Sequence, residues 1–199
     1  EVNIALMKDL DNIFKAKMEI TNYFDEDCTL IVNSSCPMLA ADKVAGDYGL
    51  VTVGVCGDEN YTVKDICDLG DKGIKYTLIR DHKEYKITLP VAGAHNALNS
   101  ALAIAAGGLI GIEPAKGLAL AELTGKRLKV TETENLKVID DTYNACEDSI
   151  KSAIDTLAAT SGDRHLAILG DIIGLADKAE KSHRAVGRYA AEKGTDLLI

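Results

Sequence analysis

The stretch LKVIDDTYNACEDSIKSAIDTLAATSGDRHLAIL, residues 136–169, changes its hydrophobic period twice and so decides the fold class. Leu136 to Ile139 is a short apolar run of strand character. Ile150, Ala153, Ile154, Leu157 and Ala158 then recur at helical spacing, which predicts a helix over Cys146 to Ala159. His165 to Leu169 is apolar again and reads as a second strand. Carried outward, the pattern adds a helix from Lys178 to Lys193 and a third strand from Asp196 to Ile199. The order βαβαβ predicts a doubly wound parallel sheet with right-handed crossovers. A sheet that stops on its third strand, and a chain that opens at Glu1 without methionine, point to a piece of a longer protein.

Upstream, Leu6, Leu10, Ile13, Phe14, Thr21 and Phe24 share one side of a helix predicted over Ile4 to Phe24. Thr29 to Val32 and Leu50 to Val55 read as buried strands, separated by a turn at Asn33 to Pro37. Tyr61 to Val63, Ile74 to Ile79 and Tyr85 to Leu89 suit a small antiparallel meander with one wet face. Asn96 to Ala106 is rich in alanine and leucine all round, which predicts a buried helix, capped by His95-Asn96 and stopped by Gly107-Gly108. Pro114 suits the first turn of a short helix running to Leu123. A boundary at Thr124-Gly125-Lys126 divides the chain into residues 1–124 and 125–199.

The chain has 199 residues, 47% hydrophobic and 27% charged, which fits a soluble folded protein of one large or two small domains. A net charge of −9 with no basic run excludes nucleic acid as a partner. The longest apolar stretch, Ala97 to Ala106, falls far short of the ~20 residues of a membrane span, and no signal peptide opens the chain. The five cysteines are odd in number and never spaced C-x-x-C, which disfavours a disulfide framework and a zinc site and suits the cytoplasm.

Four features could carry chemistry. Lys17 lies about 20° from Leu10 on the helical wheel, within the apolar stripe. It either snorkels past that stripe or is a neutral amine able to take up carbon dioxide as a carbamate that holds a hard cation. Asn96 and Asn99 stand three apart at a helix start, where they cap the helix or read an adenine edge or a sugar. Asp140-Asp141 follows a strand, where open α/β sheets bind ligands and a carboxylate accepts ribose hydroxyls. Asn144 pairs with Glu147 as a capping box for the next helix. Gly170-Asp171 repeats that geometry after the second strand, Asp177 with Glu180 caps the last helix, and His183 reads as a lone surface residue. No P-loop pattern G-x-x-x-x-G-K-[ST] and no G-x-G-x-x-G fingerprint occurs.

The ordered series Lys15-Ala16-Lys17-Met18-Glu19-Ile20, Gly93-x-His95-Asn96-x-x-Asn99-Ser100-Ala101, Arg127-Leu128, Val138-Ile139-Asp140-Asp141-Thr142-Tyr143-Asn144-Ala145, Leu169-Gly170-Asp171 and His183 resembles the Mur ligase family over essentially the whole chain. The resemblance implies an α/β fold. Its parts are the latter portion of a P-loop-type central ATPase domain with a small antiparallel sheet, then the first half of a Rossmann-like parallel-sheet domain. It implies ATP-dependent amide-bond formation through an acyl phosphate in peptidoglycan precursor synthesis. The Asp-Asp-Thr-Tyr-Asn-Ala run is specific for members that join D-alanyl-D-alanine to UDP-N-acetylmuramoyl-tripeptide. It further implies ATP and Mg²⁺ as cofactors, a UDP-linked muramoyl peptide and D-alanyl-D-alanine as partners, and a monomer.

By the same resemblance Lys17 would be a carbamate bridging to Mg²⁺, and His95, Asn96 and Asn99 would line the adenine site. Arg127 would reach the γ-phosphate, Asp141 would hold the ribose, Tyr143 and Asn144 would face the nucleotide or the interdomain cleft, and Asp171 would lie on the acceptor side. The sequence departs from the family pattern at three places. Asn3 stands near where the family has a metal-binding histidine, Cys146 where it has asparagine, and Gly174 where it has glutamate. Another amide ligase of the family, or a non-catalytic nucleotide-binding module, would carry the same motifs.

Overall fold

The computed structural model describes residues 9–112, 117–122 and 125–199. Strands β1 (Thr29–Asn33) and β2 (Gly49–Gly54) are rich in β-branched residues, pair in parallel, and are followed by β3 (Tyr61–Asp68), also parallel to β2. Strands β4 (Ile74–Arg80) and β5 (Lys83–Leu89) complete the sheet in antiparallel fashion. The meander is therefore not separate: all five strands form one mixed sheet in the order β1-β2-β3-β4-β5. The β4–β5 hairpin closes through Asp81 and His82, both at positive φ (51° and 59°), the conformation a two-residue turn needs to match strand twist.

One face of this sheet carries a long helix. Helix α1 (Leu10–Met18) and the short helix α2 (Ala41–Val44) precede it in the chain, and α3 (Asn96–Leu109) lies on the sheet. Ala97, Ala101 and Ala105 recur every four residues on α3 and are at most 1% exposed, so the helix backbone sits close to Ile74, Tyr76 and Leu78 of β4. The buried polar pair at this interface is satisfied, Tyr76 Oη and Ser100 Oγ lying 2.7 Å apart.

Helix α3 does not stop at Gly107-Gly108. It runs on to Leu109 and ends with Gly111 at φ 75°, Ile112 N–H donating to the Gly107 carbonyl (2.9 Å) and Gly111 N–H to that of Gly108 (3.3 Å). Gly108 serves packing instead: a Cβ there would lie 2.8 Å from the Tyr61 hydroxyl.

The second half has its own apolar cluster. Strands β6 (Lys129–Glu132) and β7 (Lys137–Asp140) form an antiparallel hairpin, followed by α4 (Glu147–Ala159), β8 (Leu166–Ala167), α5 (Ala179–Glu192) and β9 (Leu197–Leu198). Ile150 and Ile154 of α4 pack on Val186 and Ala190 of α5. Strands β8 and β9 pair in parallel, and Asp196 N–H to the His165 carbonyl and Leu169 N–H to the Ile199 carbonyl extend the ladder at both ends. Strand β7 corrects the expected three-stranded sheet. Its ladder goes to β6, through a turn closed by Thr133 N–H on the Leu136 carbonyl, and no ladder among the described residues joins it to β8.

Helix ends also differ from expectation. Residues 4–8 of the first predicted helix, Asn3, Pro114, Leu123 and Thr124 lie outside the described residues. The remainder of the first helix begins at Leu10, capped by Asp9 Oδ1, which accepts from Asn12 N–H, and tightens to 3₁₀ geometry over Glu19–Tyr23. Helix α4 is capped by Cys146, not Asn144: Cys146 Sγ accepts from Ser149 N–H, and Ser149 Oγ accepts from Cys146 N–H. Helix α5 follows a 3₁₀ turn at Ala176–Lys178 and has Lys178 at its N-cap with no side-chain cap, so Asp177 and Glu180 do not form the predicted box. No helix among the described residues is long and apolar enough to cross a membrane.

Candidate functional site

The start of α3 and the exit of β7 meet along a seam between the two halves. Gly93, at φ 93°, opens the α3 turn because nothing larger fits: a Cβ would lie 2.7 Å from Leu128 Cδ1 of the second half and 2.7 Å from the His95 ring. His95 is the N-cap residue but makes no side-chain cap bond; its Nδ1 instead lies 2.8 Å from Ser152 Oγ of α4. The buried Asn96 donates to the Ala92 carbonyl (2.7 Å) and accepts from Asn99 Nδ2 (3.0 Å). The asparagines therefore do not cap the helix. They bond to each other, and the exposed Asn99 keeps its Oδ1 without a partner among the described residues.

From the other side, Asp141 follows β7 and accepts from the N–H of the buried Leu128 (3.2 Å), a residue held at φ 46°. Burial pushes the Asp141 carboxyl above its ordinary range, opposed by that N–H and by the positive charge of His95 and Arg127. His95 is affected in the reverse sense: the surrounding protein lowers its pKa even though the ring reaches solvent, while the carboxylates of Asp141 and Asp68 raise it. One oxygen of Asp68 is buried with no hydrogen-bond partner among the described residues, and the other accepts from Gly70 N–H (2.9 Å).

Asp140 has a job of its own after all. It accepts from the Thr142 hydroxyl (2.8 Å) and N–H (3.1 Å), and those bonds hold its pKa down. The exposed Arg127 stacks its guanidinium 4.4 Å from the centre of the Tyr143 ring, and Tyr143 N–H donates to the Lys126 carbonyl. Asn144 is exposed beside them. His95, Arg127 and Asp141 thus interact across the seam, with Asn96 and Asn99 next to His95 and Tyr143 under Arg127.

Two expected site residues lie apart from it. Lys17 is exposed on α1, none of whose residues is buried, so the argument from a buried ammonium does not hold and the carbamate assignment rests on resemblance. Asp171 is on the loop after β8, its Oδ1 2.8 Å from His183 Nε2. His183 is therefore no lone surface residue. Its Nδ1 meets the Ala179 carbonyl (2.7 Å), so Nε2 of the neutral ring accepts from Ile172 N–H, while the Asp171 ion pair requires a protonated ring. A cleft of about 210 Å³ opens there, bordered by Ile150, Gly170, Ile172, His183 and Val186. No group of three or more His, Cys, Asp or Glu side chains converges as a metal centre among the described residues.

Leu128, Ser152 and Asp68 were not legible as site residues. Leu128 and Ser152 act through contacts across the seam and Asp68 through its charge on His95, none of which a local motif encodes.

Residues 4–107 match the Mur ligase middle domain and residues 126–199 the Mur ligase glutamate ligase domain. The UDP-N-acetylmuramoyl-tripeptide–D-alanyl-D-alanine ligase of Bacillus subtilis is 34% identical over 97% of this chain and 43% of its own length. The ligase of the same name from Escherichia coli is 32% identical over 96% of this chain and 43% of its own. Among solved structures, MurF from Acinetobacter baumannii superposes with a TM-score of 0.87 at 25% identity, covering 98% of this chain and 43% of that one. MurF ligase from Thermotoga maritima in complex with ADP shares the fold, with a TM-score of 0.84 at 18% identity over 100% of this chain and 50% of that one. The chain thus spans less than half the length of the curated relatives it matches.

Proposed function

Because this chain belongs to the Mur ligase family, we propose that it is the nucleotide-facing part of a ligase that joins D-alanyl-D-alanine to UDP-N-acetylmuramoyl-tripeptide at the expense of ATP, in the cytoplasm. The observation that carries this reading is the convergence of Asp141 with the His95-Asn96-Asn99 turn at one seam.

The donor set suits an adenine nucleoside. Asn99 Oδ1 has no partner among the described residues and can accept from an exocyclic amine, with Asn96 holding the Asn99 amide in orientation. Asp141 can accept hydroxyl protons, and among the described residues only one of its oxygens is engaged, by Leu128 N–H. Arg127 supplies a planar guanidinium for phosphate oxygens, and Tyr143 stacks under it and holds its plane. ATP, when bound, would supply the γ-phosphoryl group that turns the substrate carboxylate into an acyl phosphate with release of ADP, and the incoming amine would displace inorganic phosphate from the acyl carbon to form the amide. Around that chemistry the chain orients the nucleoside and balances negative charge rather than forming covalent intermediates.

Lys17 is assigned the carbamate role toward Mg²⁺ by likeness to the family. Among the described residues no group of three or more His, Cys, Asp or Glu side chains converges to complete a metal shell. Asp171, beside His183 at the second cleft, is assigned to the acceptor side.

The test is phosphate release by the full-length gene product with ATP and the UDP-linked tripeptide. Release that requires D-alanyl-D-alanine, with the amide product identified by mass, supports the reading. Release driven by a different amine contradicts the substrate assignment, and ATP binding without release under any amine contradicts the ligase assignment.

A further inference from the structure

The two halves touch at a second place, away from the seam. The 3₁₀ turn Gly70–Lys72 between β3 and β4 lies against the C-terminal end of α4. Gly70 has φ 63°, and a Cβ on it would stand 2.6 Å from Thr160 N and 2.7 Å from the Ala159 carbonyl carbon, so only glycine permits this approach. Asp71 N–H donates to Thr160 Oγ1 (3.1 Å), and the Thr160 hydroxyl donates in turn to the Thr156 carbonyl (2.7 Å). The Asp71 carboxylate receives Lys137 Nζ from β7 at 2.6 Å, the two side chains being only 10% and 20% exposed. Glu132, at 3.7 Å from the same ammonium, is 68% exposed, so Asp71 is its principal partner.

Both elements held at this contact lead to the seam. Strand β7 runs from Lys137 to Asp140 and delivers Asp141, roughly 13 Å from Lys137 at the usual rise per residue. Helix α4 carries Ser152, two turns before Thr160, to its bond with His95. Strand β7 is tied to the first half at one end by Lys137, and at the other Asp141 holds Leu128, whose side chain abuts Gly93, so the strand cannot shift along its axis without disturbing one of these two contacts. A shielded ion pair of this kind gives directional fixation, because either charge left alone there is strongly disfavoured.

We propose that Asp71, Lys137 and Thr160 are positioning residues that dock the second half on the β3–β4 turn and thereby set the Asp141 carboxylate against the start of α3. None of the three touches the seam. Their effect on ligand binding rests on the nucleotide reading above, whereas their effect on orientation does not.

The experiment uses residual dipolar couplings of the ¹⁵N-labelled 199-residue chain, with ADP titration as a second readout. In the wild type one alignment tensor is expected to fit both halves. Asp71→Asn and Lys137→Gln should each split it into two and weaken ADP binding about tenfold, the size of an ordinary coupling between sites. The double variant should be no worse than either single, and Lys137→Arg should keep one tensor and near-wild-type affinity. Thr160→Val, which preserves volume, should split the tensors while each half keeps its dispersed spectrum.

Separate tensors in the wild type, or a common tensor in the single variants, overturn the proposal. Additive losses in the double variant overturn the pairing, and split tensors with unchanged ADP affinity overturn the positioning role. A wild type that binds no ADP contradicts the functional reading and leaves the tensor result to decide the docking.

Discussion

Nδ1 of His95 lies 2.8 Å from Oγ of Ser152, a bond that joins the start of α3 to α4 across the seam. Burial lowers the pKa of the ring, and the charges of two carboxylates, Asp141 and Asp68, oppose that effect. Since its folded pKa lies below the ordinary 6.5, the unfolded chain binds the extra proton first as pH falls. Stability is therefore expected to decline as pH drops below about 6.5, and to be insensitive to this group above that. Urea midpoints measured from pH 7.5 down to 5 should fall in the wild type and fall less in His95→Gln. Equal slopes would remove His95 from the pH dependence.

Asp141 has the opposite sign. Its raised pKa means that the folded state holds the proton more tightly, so stability is lost as pH rises from the ordinary carboxylate value through the folded one, and that loss persists at neutral pH. Asp141→Asn keeps an Oδ1 acceptor for Leu128 N–H and removes the charge. It is expected to raise the midpoint at pH 7 while weakening ADP binding by about ten- to a hundredfold, the range of a lost hydrogen bond to a charged group. Thermal melts and calorimetric titration of the same sample check both halves of this trade.

Gly93→Ala forces a Cβ within 2.7 Å of Leu128 and of the His95 ring, at a φ of 93°. The backbone strain alone costs about 1–3 kcal/mol. Adding Leu128→Ala should relieve the steric part and leave the strain, so the two changes are expected to be non-additive in chemical denaturation.

At the sheet–helix interface the two members of one buried bond should differ. Ser100→Ala strands the Tyr76 hydroxyl in the core and should cost about 1–3 kcal/mol. Tyr76→Phe leaves Ser100 Oγ on the Ala97 carbonyl and should cost about 1 kcal/mol. Equal costs in urea unfolding would mean that the tyrosine hydroxyl has found another partner.

Lys17 tests the metal assignment separately from the fold. The exposed side chain predicts that Lys17→Ala changes stability by less than about 0.5 kcal/mol. The same substitution should abolish D-alanyl-D-alanine-dependent phosphate release by the full-length gene product, with partial return in excess short-chain carboxylate. Undiminished release would remove the carbamate role.

Elements with a strong internal period were legible in the sequence. The four-residue alanine repeat of α3 and the spacing of Ile150, Ile154 and Leu157 on α4 each read as a helix without any tertiary knowledge. Strand partners were not. Strand β6, Lys-Val-Thr-Glu, is too polar to stand out, yet it takes the edge of β7 that an alternating βα pattern assigns to a parallel neighbour. Helix caps failed for a related reason. Asn144 and Asp177 are favoured cap types, but the chain enters α4 and α5 later, where Cys146 and Lys178 have the right backbone position. At the seam, the motif residues were legible and their partners were not, because Leu128, Ser152 and Asp68 are recognisable only once two distant segments meet.

The most direct measurement is an ADP titration of the 199-residue chain followed by ¹H–¹⁵N spectra, including the side-chain amides. The account predicts that the Asn99 side-chain amide and the backbone amides of Leu128, Asp141 and Tyr143 shift together with one apparent affinity, and that Asp141→Asn moves the whole set to an affinity about ten- to a hundredfold weaker. Shifts confined to the cleft beside His183, or none at the Asn99 and Asp141 signals at millimolar ADP, would contradict it.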